Sequence, residues 1–63
     1  MDRASAIEQL PDVYAAALRL RDAGLDEEAI ATSLSTEAAG VGPLLQLAEA
    51  KLAALLELRG DDR

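Results

Sequence analysis

Cysteine and histidine are absent from this chain of 63 residues, and Tyr14 is its single aromatic residue. A chain without cysteine forms no disulfide, and one without histidine lacks the commonest imidazole metal ligand. Covalent catalysis usually needs a nucleophile, such as cysteine or serine, beside a base such as histidine. The serines here have only carboxylates and arginines as possible partners. We therefore predict a protein that is not an enzyme and that uses no cofactor, no metal and no small-molecule substrate.

Positive charge is also scarce, because six Lys and Arg stand against twelve Asp and Glu, for a net charge of −6. The six cations are scattered along the chain. An acidic chain is repelled by phosphate backbones and by anionic lipid headgroups, which disfavours DNA and membranes as partners. No apolar run approaches the roughly 18 residues of a membrane span, and the opening residues lack the basic and apolar regions of a secretory signal. We expect a cytoplasmic protein.

Alanine, leucine, glutamate and arginine dominate what is present, which favours helix as the regular structure. The pattern predicts an all-α bundle of three main helices, with a turn or a short fourth helix over residues 4–9. The first main helix begins at Leu10-Pro11, with proline at the first helical position, and Gly24 ends it. Asp26 is the predicted N-cap of the second, which runs to about Leu34. One domain then covers residues 1–59, followed by a frayed tail over residues 60–63.

The apolar residues of the first two main helices predict which sides face inward. In the first, the inward side includes Val13, Tyr14, Ala16, Ala17, Leu18, Leu20 and Arg21. In the second, it includes Ala29, Ile30 and Leu34, with Leu25 packing at the entry.

The long last helix is predicted to begin at Pro43, with Gly42 as its N-cap and residues 36–40 as a turn or a loose helical turn. At about 100° per residue, one arc of this segment is the expected core. It holds Val41, Leu45, Ala48, Leu52, Leu55 and Leu56. A second apolar arc lies beside it, interrupted by Lys51, and holds Leu44, Leu47, Ala54 and Leu58.

A domain of this size hides roughly 60% of its unfolded surface and has little with which to cover both arcs. We therefore predict a surface that contacts another protein. Its residues are Leu44, Leu47, Lys51, Ala54, Leu55 and Leu58. In the alternative, Leu44 and Leu47 pack beneath the opening segment, which carries Ala6, Ile7 and Leu10.

Three blocks of sequence resemble region four of bacterial sigma factors, of the extracytoplasmic-function type. The first block is Leu10-Pro11 with Tyr14, Leu18 and the run Arg19-Leu20-Arg21. The second is the run from Gly24 to Ala31, GLDEEAIA, followed by Leu34. The third is Val41, Leu45, Ala48 and Leu52, which is similar to the framework of the family's recognition helix. The resemblance covers about three-quarters of the chain and implies a helix-turn-helix fold.

The resemblance implies promoter recognition through the exposed side of the last helix, but the corresponding positions carry no cation. Those positions are Gly42, Pro43, Leu44, Gln46, Leu47 and Glu49. Glu49 would face the phosphates and repel them, and Pro43 would shorten or bend the reading end. We therefore expect a degenerate recognition helix that serves protein association, either with a second copy as a homodimer or with another protein such as polymerase or an anti-sigma protein. The alternative function is a DNA-binding transcription regulator.

Overall fold

The computed structural model describes residues 2–60, and this part of the chain folds into four helices without a strand. The helices are α1 (Arg3–Glu8), α2 (Asp12–Asp22), α3 (Glu27–Leu34) and α4 (Ala38–Gly60). The predicted all-α class is confirmed, and the opening segment is a helix. The predicted tail over residues 60–63 begins one residue early, since Gly60 is the last residue of α4, and residues 61–63 lie outside the described residues.

Short polar side chains fix where α1 and α3 begin. The Asp26 carboxylate accepts a hydrogen bond from the Ala29 backbone N–H at 2.9 Å, which confirms the predicted N-cap of α3. Asp2 does the same for α1 by accepting from the Ser5 N–H at 2.8 Å. This hydrogen bond lowers the pKa of Asp2, because it stabilises the charged carboxylate.

The two ends of α2 lie close to their predicted positions. Pro11 is the N-cap with φ −54°, so the helix begins one residue later than expected, at Asp12. Gly24 follows the C-cap residue Ala23 and has φ +99°, a backbone conformation that side chains with a Cβ rarely adopt. Gly24 therefore ends α2 as predicted.

The predicted start of the long helix is wrong. α4 begins at Ala38, so Gly42 is not an N-cap and Pro43 lies inside the helix. Pro43 cannot donate a hydrogen bond to the Ala39 carbonyl, but both residues are exposed, so this loss falls on the solvent side. A residue before proline normally avoids the α conformation because its Cβ crowds the proline ring, and Gly42 has no Cβ.

The core lies where α1, α2 and α3 pack against one side of α4. The predicted core arc of α4 is confirmed, since four of its six residues are buried and Leu55 and Leu56 are half-buried against them. On α2, Ala17 and Leu18 are buried as expected, but Val13 is 47% exposed and was wrongly placed inward. Within residues 2–58, the buried residues are Ala6, Ile7, Leu10, Ala15, Ala17, Leu18, Ile30, Ala31, Val41, Leu45, Ala48 and Leu52.

The length of α4 determines the shape of the molecule. At about 1.5 Å per residue, its 23 residues span about 34 Å, and the longest dimension of the molecule is 40 Å. After the buried Leu52, residues 53–58 of α4 carry half-buried and exposed side chains. The C-terminal part of α4 therefore offers surface that its own chain covers poorly.

Because α4 continues through Pro43, it forms one long apolar helix. Residues Ala38–Leu58 are long and apolar enough to cross a membrane by length and composition alone, contrary to the expectation that no such run exists. One such helix is a weak indication, and 17% of its 18-residue apolar window is buried inside the domain. Here Val41, Leu45, Ala48 and Leu52 face the other three helices.

Candidate interaction surface on the last helix

The predicted contact surface divides into exposed residues and residues that border the core. We call Leu44, Leu47, Lys51, Ala54 and Leu58 the outer face of α4. Leu47 is 47% exposed and Leu58 is 71% exposed, and Lys51 and Ala54 are also exposed. Leu44 and Leu55 are half-buried and pack against the core cluster. Leu44 thus follows the alternative of intramolecular packing in part, whereas Leu47 leaves about half of its surface to solvent.

The outer face has the spacing of a coiled-coil seam. Its positions 44, 47, 51, 54 and 58 are separated by three and four residues in alternation, as are core positions 41, 45, 48, 52 and 55. A helix with two such rows can pack on its own domain with one and on a partner helix with the other. This spacing is visible in the sequence and is more specific than the broad apolar arc on which the prediction rested.

Lys51 lies over a side chain of α2. Its Nζ atom is 5.5 Å from the centre of the Tyr14 ring, which is within the range of a cation–π contact. Sequence reasoning placed Tyr14 in the core, but its ring is half-buried and reaches the edge of the outer face. The single cation of the outer face is therefore held to one side by its own chain.

Glu49, predicted to face DNA phosphates, instead joins an ion-pair cluster with two arginines. Arg21 of α2 contacts its carboxylate, and Arg3 of α1 lies 3.4 Å from it, between Nη2 and Oε2. Arg3 also pairs with Asp22. The four side chains are about two-fifths exposed, so each pair contributes at most about 1 kcal/mol after solvent screening. α1 and α2 thus bring two cations to the position that the sequence predicts to repel DNA phosphates.

Contacts at Lys51 and Glu49 also show how α2 crosses α4. The two residues are two positions apart and so lie about 200° apart around the helix. Since Tyr14 contacts one and Arg21 the other, α2 passes across α4 on its core side. Among the described residues, Leu47, Ala54 and Leu58 stay exposed beyond the Tyr14 edge.

Gly42, another predicted DNA-reading position, lies near an acidic side chain. A Cβ at Gly42 would be 3.6 Å from Glu27 Oε2, so the first turn of α3 adjoins the start of α4. Pro43 and Gln46 are exposed beside it. In a helix-turn-helix, the helix that precedes the recognition helix meets the phosphate backbone. In this protein it carries Asp26, Glu27 and Glu28, which are exposed carboxylates.

A shallow groove of about 390 Å³ lies between α1 and α2. Its lining consists of Arg3, Ala4, Ile7, Glu8, Arg19 and Asp22. Arg3 and Asp22 pair with each other, and Glu8 and Arg19 supply the other two charged side chains of the lining. Among residues 2–60, no group of three or more Asp or Glu could hold a metal ion.

The described residues form an all-α bundle. Comparison with models of protein families, with curated proteins and with solved structures gives no match. The resemblance to sigma region four therefore stays a prediction that rests on the three sequence blocks.

Proposed function

We propose that this protein is a non-enzymatic interaction module with a helix-turn-helix-like arrangement, and that it associates with a second copy of itself through the outer face of α4. Its role is regulatory, as an adaptor or as a competitor for a partner in transcription, in keeping with the resemblance to sigma region four. The cytoplasm is the proposed location, because the most apolar side of α4 packs in the core of its own domain instead of facing lipid.

The observation that carries the proposal is the exposure of Leu47 and Leu58 on a helix that already has a buried core row. Full burial of a leucine contributes roughly 1.5–3 kcal/mol before the cost of association is subtracted. Leu47 is 47% exposed and Leu58 71% exposed, so each can gain that fraction of the full value, twice in a symmetric dimer. Large apolar side chains that share a coiled-coil row are typical of association surfaces.

Replacement of Leu47 by Glu tests the proposal. Burying the new carboxylate against a partner would be costly, so we expect the L47E protein to sediment as a monomer at concentrations where the natural chain is dimeric. Ala53→Glu is the matched control, because Ala53 is exposed on the same helix but outside the outer face. Both variants should keep their helicity by circular dichroism.

Two results would overturn self-association. One is a natural chain that sediments as a monomer over the whole accessible concentration range. The other is a dimer whose mass is unchanged by Leu47→Glu, which would place the contact elsewhere.

A further inference from the structure

The outer face of α4 contains a pattern that is symmetric about its own midpoint. Leu47 and Leu58 lie 5.5 positions on either side of a point between Leu52 and Ala53. Lys51 and Ala54 lie 1.5 positions on either side of the same point. The two leucines are 11 residues apart, which is about 16.5 Å along the helix and close to three whole turns, so they lie on nearly the same side.

A two-fold symmetric dimer needs one surface patch that is complementary to itself. We propose, on the basis of the proposed function, that two copies pair along α4 in antiparallel orientation with Leu47 facing Leu58 of the partner subunit. In the same register, Lys51 faces Ala54 of the partner subunit. The two leucine pairs then close the ends of the interface, and the lysine stem covers a small side chain between them.

Charge distinguishes the proposed register from a parallel pair and from a shifted antiparallel register. In a parallel pair each residue meets its own copy, so the two Lys51 ammonium groups would face each other. An antiparallel register shifted by three residues brings Leu44 toward Leu58 and again sets Lys51 against Lys51. Like charges at facing positions are destabilising. The proposed register avoids this contact, and each ammonium group keeps its place over its own Tyr14 ring.

The composition of the outer face favours a second copy over a cationic or anionic partner. Apart from Lys51, the outer face has no charge, and Lys51 already has an aromatic partner within its own chain. The half-buried Leu44 of this face and the adjacent half-buried Leu55 extend its apolar area toward the core. A largely neutral apolar row therefore matches another copy of the same row better than a charged surface.

The substitution Ala54→Glu separates the registers. In the proposed register the new carboxylate faces Lys51 of the partner subunit, twice per dimer, so the dissociation constant should stay the same or fall, and any gain should disappear at high salt. In a parallel pair the new carboxylates face each other, and in the shifted register each is buried against Ala48 of the partner subunit, next to Leu47 of the partner subunit. Either arrangement should raise the dissociation constant at least about tenfold. Ala53→Glu, off the outer face, is the control in sedimentation equilibrium.

Engineered thiols give a second measurement, because the chain has no cysteine of its own. An oxidised mixture of Lys51→Cys and Ala54→Cys chains should form the mixed disulfide faster than either chain forms a disulfide with itself. Faster self-pairing of either variant would overturn the proposed register while leaving the dimer intact. A natural chain that is monomeric throughout would instead overturn the proposed function, so the two failures are distinguishable.

Discussion

At the scale of single residues, backbone conformation at two positions ends two of the helices. Gly24 has φ +99° after α2, and Ser35 has φ +58° after α3. Glycine adopts such angles freely, so its role could be predicted from the sequence. Serine in the left-handed region is uncommon, and nothing in its local pattern indicates that a tight turn would leave Ala38 free to begin α4 so soon.

Two glycine substitutions test the backbone conformations assigned at Gly24 and Gly40. Gly24→Ala forces a Cβ into a left-handed conformation and should lower the free energy of unfolding by about 1–2 kcal/mol. Gly40→Ala lies in α4 with no neighbouring atom within 4 Å of the new Cβ, and should raise it by about 0.5–1 kcal/mol. Urea denaturation followed by circular dichroism measures both. Changes of the same sign would contradict the assigned backbone conformations.

At the scale of helices, α4 differs most from its prediction. Two glycines and a proline within four residues normally end a helix, so the sequence favoured a start at Pro43. The helix instead continues because the proline ring lies beside Gly42, which has no Cβ, and because the unpaired carbonyl belongs to the exposed residue Ala39. The glycine before the proline is visible in the sequence, whereas the exposure of Ala39 depends on which side of the helix faces water.

Pro43→Ala tests the continuous helix. The new N–H can donate to the Ala39 carbonyl and the ring is removed, so the free energy of unfolding should rise by about 1–3 kcal/mol, with greater helicity. Pro11→Ala is the control, because Pro11 is an N-cap and has no such hydrogen bond to restore. A gain no larger than that of the control would mean that α4 starts at Pro43 after all.

The outer face was predictable only in part. Helical spacing identified Leu47, Ala54 and Leu58 as a second apolar arc, because an arc follows from position along the chain. The same reasoning could not divide the six residues, since whether Leu44 and Leu55 lie against the core depends on how α1 and α2 cross α4. Nor could it place Arg3 and Arg21 beside Glu49, because these contacts join three helices.

At the scale of the whole molecule, the net charge of −6 governs encounters with polyanions. We expect no binding of double-stranded DNA in a fluorescence titration at low ionic strength, because Arg3 and Arg21 are paired with carboxylates and the first turn of α3 is acidic. Binding that weakens steeply as salt rises would contradict this expectation and would favour the alternative of a DNA-binding regulator.

The crossing of α2 over α4 leaves the chain's single aromatic ring at the border of the outer face, beside Lys51. All ultraviolet fluorescence of the protein therefore arises from one phenol next to the proposed contact. Its emission intensity and anisotropy can serve as an intrinsic, label-free reporter of what covers that part of the molecule.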